Sequence, residues 1–456
     1  MINGTLKINR KVLHNGIEIT LGRKDYFITY PAAIWKEFPD VFRQTFADSL
    51  TYFLTMHLSL SNGHRILYNF PPPITEPFFF KGMVYSLSEN YLTADNKSKM
   101  ADLLKLLYNR DFQIEFTGRP RYTRFKNVNR NSKKRAVIPF SFGKDSLLTF
   151  ALADELGIKP YLIFFREPRS PHENRHKYKL AQRFFDEFDI DVHFFPLAPG
   201  WLREVDTDNT WGWGLQLTQY TLLTIPYLFG LKSKYLFWAH EQSCNDTFVN
   251  GEGFILNPVY EQSYNWVLTS NATAKVLGSN AIFASLLEPI HELAIIKILH
   301  SRYPDIAKYQ TSCFAEEDIA RSRRWCGVCT KCARMYVMFL AHGISPSKVS
   351  FFENMLTPKK RHLYPIFEQD LVKNDSAYAK SAAAKEEQLF SFYLAAKRGA
   401  KGPLMDEFKK KYFKAVKKKE KSLREKYFGI HTSNTLTYEL KTPILKIFEE
   451  ELSDLR

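Results

Sequence analysis

The sequence predicts an α/β fold built on a parallel sheet, and three observations carry that prediction. Short apolar runs alternate with helical periods from Ala136 to Trp238, one strand-to-helix turn is composed like an anion-binding loop, and four cysteines gather late in the chain. An α+β region is expected before this unit and a helical region after it. With 456 residues the chain is long enough for about three domains of roughly 150 residues each.

Taken in order, residues 1–118 open with strand-like alternation at Leu6–Ile8, Ile17–Leu21 and Tyr26–Tyr30, then mix helix and strand around a break at Pro71, Pro72 and Pro73. Residues 119–135 form a basic linker. Ala136–Phe140 is then a buried-strand run, Ser146–Leu156 a helix, Tyr161–Phe165 a second strand and His172–Phe188 a second helix. Val192–Phe195, Gly214–Leu228 and Tyr235–Trp238 continue the alternation as strand, helix and strand. Apolar runs without polar alternation are the mark of strands covered on both faces, as right-handed crossovers require. This unit is expected to end near residue 345, and residues 346–456 read as helical and lysine-rich.

The net charge of +16 comes from 64 Lys and Arg against 48 Asp and Glu, and its placement matters more than its size. Arg119–Arg135 holds eight basic residues and no acid, while Lys409–Lys426 holds ten against Glu420 and Glu425, so these two segments contain the whole excess. That disfavours a protein coated uniformly for nucleic acid and leaves RNA contact as a local possibility. The second segment spaces Phe408, Tyr412, Val416 and Leu423 near helical intervals, which predicts one solvent-facing amphipathic helix. The longest apolar stretch, Thr221–Leu231, is too short to span a bilayer, so a cytoplasmic protein without a membrane partner is expected.

Ser141-Phe142-Gly143-Lys144-Asp145-Ser146 lies where a strand ends and a helix opens. Free backbone N–H groups and the positive end of the helix dipole meet there. Gly143 would allow close approach of a phosphate, Ser141 and Ser146 supply hydroxyls, Lys144 adds charge and Asp145 could hold magnesium. A plain helix cap would use the same residue types. Cys326, Cys329 and Cys332 form CxxCxxC, with Cys313 upstream; four thiolates make a closed tetrahedral site, read as structural zinc with an iron–sulfur cluster as the alternative. Arg321, Arg323, Arg324 and Arg334 surround this knuckle, either solvating it or meeting an anionic substrate.

His240–Asp246 leaves the fourth strand at the edge where open parallel sheets bind ligands. Glu241 or Asp246 could bind magnesium or act as a base, Gln242 and Asn245 could orient a carboxylate, and Cys244 is either an inert buried thiol or a proton-transfer group. Glu288–Glu292 has similar polarity and reads as a helix start; Trp211–Gly214 reads as core or as a stacking surface.

The SFGKDS loop resembles the SGGxDS loop of the PP-loop ATP pyrophosphatases, with Phe142 standing where that superfamily usually has its first glycine. The resemblance implies a Rossmann-like nucleotide domain that uses ATP and Mg²⁺, releases AMP and pyrophosphate, and activates a carboxylate, amide or tRNA base oxygen. Ser141 to Ser146 would hold the pyrophosphate part, with Lys144 and Asp145 catalytic. Over Ala136–Ala341 the loop and the cysteines together are similar to 7-cyano-7-deazaguanine synthases, which carry a four-Cys zinc site. Length, domain order and the SFGKDS form resemble the UDP-N-acetylmuramoyl-L-alanyl-L-glutamate epimerases, which adenylate a terminal glutamate and invert its α-carbon. An acyl-adenylate acidifies the α-proton, so a modest base suffices. Under that resemblance His240, Glu241 and Cys244 are the candidates for the base, and the substrate is a small anion.

Overall fold

The computed structural model describes residues 4–60, 65–93, 99–119, 133–204, 214–313, 316, 318–367 and 381–456. Most of the basic linker, and Trp211 to Trp213, lie outside the described residues.

Two five-stranded sheets organise the chain. The first contains β1 (Thr5–Leu13), β2 (Gly16–Leu21), β3 (Lys24–Thr29), β4 (Arg65–Tyr68) and β5 (Ile114–Phe116), in the order β3-β2-β1-β4-β5. Its first three strands form an antiparallel meander, and β4 and β5 add in parallel. Helices α1 (Ala32–Glu37), α2 (Asp40–Thr55), α3 (Glu76–Thr93) and α4 (Met100–Arg110) belong to the same region.

The second sheet contains β6 (Lys133–Pro139), β7 (Lys159–Arg166), β8 (Val192–Pro196), β9 (Ser233–Trp238) and a late strand Ile282–Ser285, all parallel. Between them run α5 (Lys144–Glu155), α6 (Pro171–Phe188), α7 (Gln216–Gly230), a two-stranded hairpin of β10 (Phe248–Val249) and β11 (Ile255–Leu256), and α8 (Tyr264–Val276) before that late strand, β12. The spatial order is β12-β9-β6-β7-β8, so the chain winds outward in one direction from β6 to β8, then returns to the other side of β6 at β9. The four strands read as apolar runs fall in place, while β12 and the pair β4 and β5 were not read.

Strand alternation explains why those runs are continuous. Ala136, Ile138, Leu162, Phe164, Tyr235 and Phe237 point to one core, shared with α5, α6 and the C-terminal helices. Val137, Ile163, Phe165, Leu236, Trp238 and Phe283 point to the other, shared with α7, α8 and the N-terminal region. The N-terminal region joins that second core through Tyr30, whose hydroxyl donates to the Leu223 carbonyl at 3.2 Å, and through Phe38, packed 5.2 Å from Phe229.

After β12 come α9 (Glu292–Arg302), α10 (Pro304–Ala307), α11 (Thr330–Ala341), α12 (Ala382–Lys397), α13 (Pro403–Lys411), α14 (Phe413–Lys418), α15 (Glu420–Tyr427) and α16 (Tyr438–Leu452). The single amphipathic helix expected over Lys409–Lys426 is therefore three short ones, broken at Tyr412 and Lys419. Phe408, Val416 and Leu423 are still buried, and the breaks let the segment wrap round α12 while its lysines stay in solvent. Among the described residues no helix is long and apolar enough to cross a membrane.

Candidate functional site

The site is assembled at the carboxyl ends of β6, β7 and β9. Gly143 caps α5, and the residues before it fold back on themselves: the Ser141 N–H donates to Ser146 Oγ at 3.2 Å, and the Ser146 hydroxyl donates to the Gly143 carbonyl at 3.2 Å. Phe142 sits in the left-handed region at φ 56°, where glycine is favoured. Its ring turns away from the loop into the core, 4.7 Å from Phe140 and 5.7 Å from Phe184, and leaves the loop face open. From outside, the Thr311 N–H donates to the Phe142 carbonyl at 2.8 Å, and the buried Lys177 ammonium bridges the Ser141 and Thr311 carbonyls. Burial lowers the Lys177 pKa to about 8.

Lys144 is buried beneath the loop, 2.6 Å from Asp145 Oδ1 and 2.8 Å from Glu292 Oε1. Glu292, in the first turn of α9, also lies 3.4 Å from the Arg334 Nε of α11. Burial works against charge on both Lys144 and Glu292. Asp145 and Glu292 nevertheless raise the Lys144 pKa, and Arg334 and Lys144 hold the Glu292 carboxyl at about 2.

Glu241 adjoins this network from the β9 side. It caps the short 3-10 helix Gln242–Asn245 by accepting the Ser243 N–H at 2.8 Å together with the Ser243 hydroxyl. Burial, reinforced by the Glu292 charge, pushes the Glu241 pKa up to about 8. A carboxyl raised in the folded state contributes stability that is complete below its unfolded value of about 4.3 and is lost as pH rises through the folded value. Stability is therefore expected to fall between pH 5 and 8, at no more than about 1.4 kcal/mol per pH unit from this group. Glu241→Gln should flatten that fall in a urea-midpoint series across the range; equal slopes in the two proteins would remove Glu241 as its source.

A cleft of about 590 Å³ opens where the strand order reverses between β6 and β9. Ser141, Asp145, Ser146, Glu173 and Lys331 are among the residues that line it. Phe165, Glu167, Tyr220, Trp238, His240 and Gln262 line it as well. Glu167 is fixed by Arg203, by the Tyr220 hydroxyl and by Gln216 Nε2 at 3.0 Å. His240 stacks on Trp238 at 5.2 Å, is 6% exposed, and has no hydrogen-bond partner on either ring nitrogen among the described residues. Burial lowers its pKa to about 3, which favours the neutral imidazole.

The four cysteine sulfurs all lie within 4.8 Å of one another. A tetrahedral zinc–thiolate site places its sulfurs about 3.8 Å apart, and Cys326 Sγ to Cys332 Sγ is 3.7 Å. Backbone N–H groups of Cys326, Val328 and Cys332 donate to the sulfurs of Cys313, Cys326 and Cys329, each at 3.4 Å, an arrangement suited to thiolates. The four residues can thus hold a metal ion such as zinc. The nearby arginines divide by role: Arg323 pairs with Glu353, Arg324 donates to backbone carbonyls, and Arg334 reaches Glu292.

Of the residues selected from sequence, Ser141, Asp145, Ser146 and His240 line the cleft, while Lys144, Glu241 and Cys244 lie beneath its floor. Cys244 faces Glu241 and Gln262, and burial keeps it a thiol by raising its pKa well above the usual value. Asn245 accepts the Tyr264 N–H at 2.8 Å, and Glu288 accepts the Asn434 and Thr435 N–H groups, which ties the C-terminal segment to the end of β12. Sequence reading missed Glu167, Lys177 and Lys331, and took Glu292 for a helix start, which it is, without its ion pair to Lys144; Lys331 stands between two metal-type cysteines, which was the one local signal available. No protein-family model matches the chain, and no curated protein matches it in sequence.

Proposed function

We propose that the protein is a PP-loop type ATP pyrophosphatase that adenylates a carboxylate of a small anionic substrate. The observation that carries this reading is the Ser141–Ser146 loop, which opens a helix at the strand-order reversal and faces a cleft of nucleotide size. In the reaction a substrate carboxylate oxygen attacks the α-phosphorus of ATP, the bond to the β-phosphate oxygen breaks, and pyrophosphate leaves onto the loop. The Ser141 and Ser146 hydroxyls and the N–H groups opening α5 would receive it, and Asp145 would be the carboxylate that holds Mg²⁺ beside it. His240, which also lines the cleft, would lie beside the acyl half.

The substrate we propose is UDP-N-acetylmuramoyl-L-alanyl-L-glutamate, with inversion at the glutamate α-carbon while the carboxylate is adenylated and hydrolysis to AMP afterwards. A second reading is favoured by the four-Cys site beside the loop: nitrile formation in the manner of 7-cyano-7-deazaguanine synthase, with zinc in the knuckle.

The test incubates the full chain with ATP, Mg²⁺ and each candidate substrate, measuring AMP and pyrophosphate. With the muramoyl dipeptide, D-glutamate is expected after acid hydrolysis. Asp145→Ala should lower pyrophosphate release by about 10²-fold. Absence of pyrophosphate with every candidate would overturn the enzymatic reading, while pyrophosphate with carboxydeazaguanine and ammonia alone would select the second.

A further inference from the structure

We infer that Lys331 is the polyphosphate-binding lysine of the cleft and that the four-Cys knuckle serves to place it there. This inference rests on the nucleotide reading above and reassigns a role that the sequence gives to Lys144. Lys144 is 3% exposed, is held between Asp145 and Glu292, and does not line the cleft. Lys331 lines it, together with Ser141, Asp145 and Ser146.

The knuckle fixes Lys331 from within its own helix. Cys329 is the N-cap of α11 and its sulfur accepts the Cys332 N–H, so two of the four cysteines clamp the turn that carries Lys331. One turn further, Arg334 reaches Glu292, which holds Lys144. The approach to Cys313 braces the loop itself through Thr311 and Lys177. Beyond Cys313, Glu316 accepts the His172 and Glu173 N–H groups at 2.8 Å and so caps α6, the helix that carries Glu173 to the cleft. Metal at the four sulfurs would thus order the loop and Lys331 in one step. A lysine ammonium suits this task because, as a point charge with rotatable donors, it can follow phosphate oxygens as pyrophosphate separates.

The experiment measures calorimetric binding of inorganic pyrophosphate, ATP with Mg²⁺, and adenosine to the metal-loaded full chain. It compares wild type, Lys331→Met and Lys331→Arg, and then the chelator-stripped forms. Metal content and thermal unfolding are followed in each. Lys331→Met is expected to weaken pyrophosphate and ATP at least about tenfold, with adenosine changed less than twofold and Lys331→Arg intermediate. Stripped wild type should bind like Lys331→Met or more weakly. Unchanged pyrophosphate and ATP affinities in Lys331→Met, in a wild type that binds both, would overturn the lysine assignment and leave the nucleotide reading standing. Stripped wild type binding as tightly as the loaded form would overturn the role of the knuckle. A wild type that binds neither ligand would overturn the nucleotide reading, and this inference with it.

Discussion

Glu292→Ala is expected to destabilise the protein by about 3–5 kcal/mol, because it removes one member of a buried ion network and leaves the others in place. Among the described residues the Lys144 ammonium would keep only Asp145, and the Arg334 guanidinium would lose the carboxylate at 3.4 Å. Glu292 is 5% exposed, so water cannot replace it without opening the packing of α5 against α9. Glu292→Gln keeps the volume and an acceptor oxygen and should cost less. At the exposed pair Lys421 and Glu425, 4.0 Å apart with both side chains largely in solvent, Glu425→Ala should change stability by about 0.5 kcal/mol or less.

The pH dependence gives this prediction a second signature. A carboxyl held at about 2 in the folded state contributes stability that is present above its unfolded range and is lost as pH falls toward 2. The acid side of the stability profile should therefore be shallower in Glu292→Gln. Urea midpoints at fixed m-value across pH 2–7 measure both effects. A cost in Glu292→Ala no larger than that of Glu425→Ala would mean that the network carries no stability.

The sequence exposes what is local and hides what is brought together. Strands β6, β7, β8 and β9 are legible because burial on both faces leaves unbroken apolar runs, and the loop is legible because a helix start demands Gly, Ser and Asp types in a fixed order. The cysteines are legible because metal ligation imposes short spacings. β12 is a four-residue strand that, among the described residues, pairs only with β9, and nothing in Ile282–Ser285 distinguishes it from buried coil. Lys144 reads as a phosphate ligand because its partner Glu292 lies far along the chain, in a segment whose acid also satisfies a helix N-terminus. Glu167 and Lys177 are likewise ordinary until tertiary packing surrounds them with Arg203 and Tyr220, and with the Ser141 and Thr311 carbonyls. The three short helices after Pro403 keep the apolar spacing of one long helix, so only the contacts with α12 reveal the breaks.

Phe142 offers a test in which the usual order of two substitutions reverses. Phe142→Ala should cost about 3–5 kcal/mol, since it empties a fully buried site between Phe140 and Phe184, and it leaves unrelieved the strain of a Cβ at φ 56° that the wild type also bears. In a helix or strand interior, glycine is worse than alanine by roughly 0.5–1 kcal/mol. At a left-handed position the Cβ itself costs about 1–2 kcal/mol, so Phe142→Gly should be more stable than Phe142→Ala by about 1 kcal/mol despite the larger void. Urea midpoints of the two variants decide the sign, and a glycine variant less stable than the alanine variant would show that the Cβ carries no backbone strain there. The same conformation fixes the direction of the Phe142 carbonyl toward the Thr311 N–H and thereby the face that the loop presents to the cleft. Under the proposed function, Phe142→Gly should therefore retain more pyrophosphate release than Phe142→Ala, since glycine holds the left-handed turn without strain, whereas alanine keeps the strain of a Cβ there after losing the ring packing that offsets it.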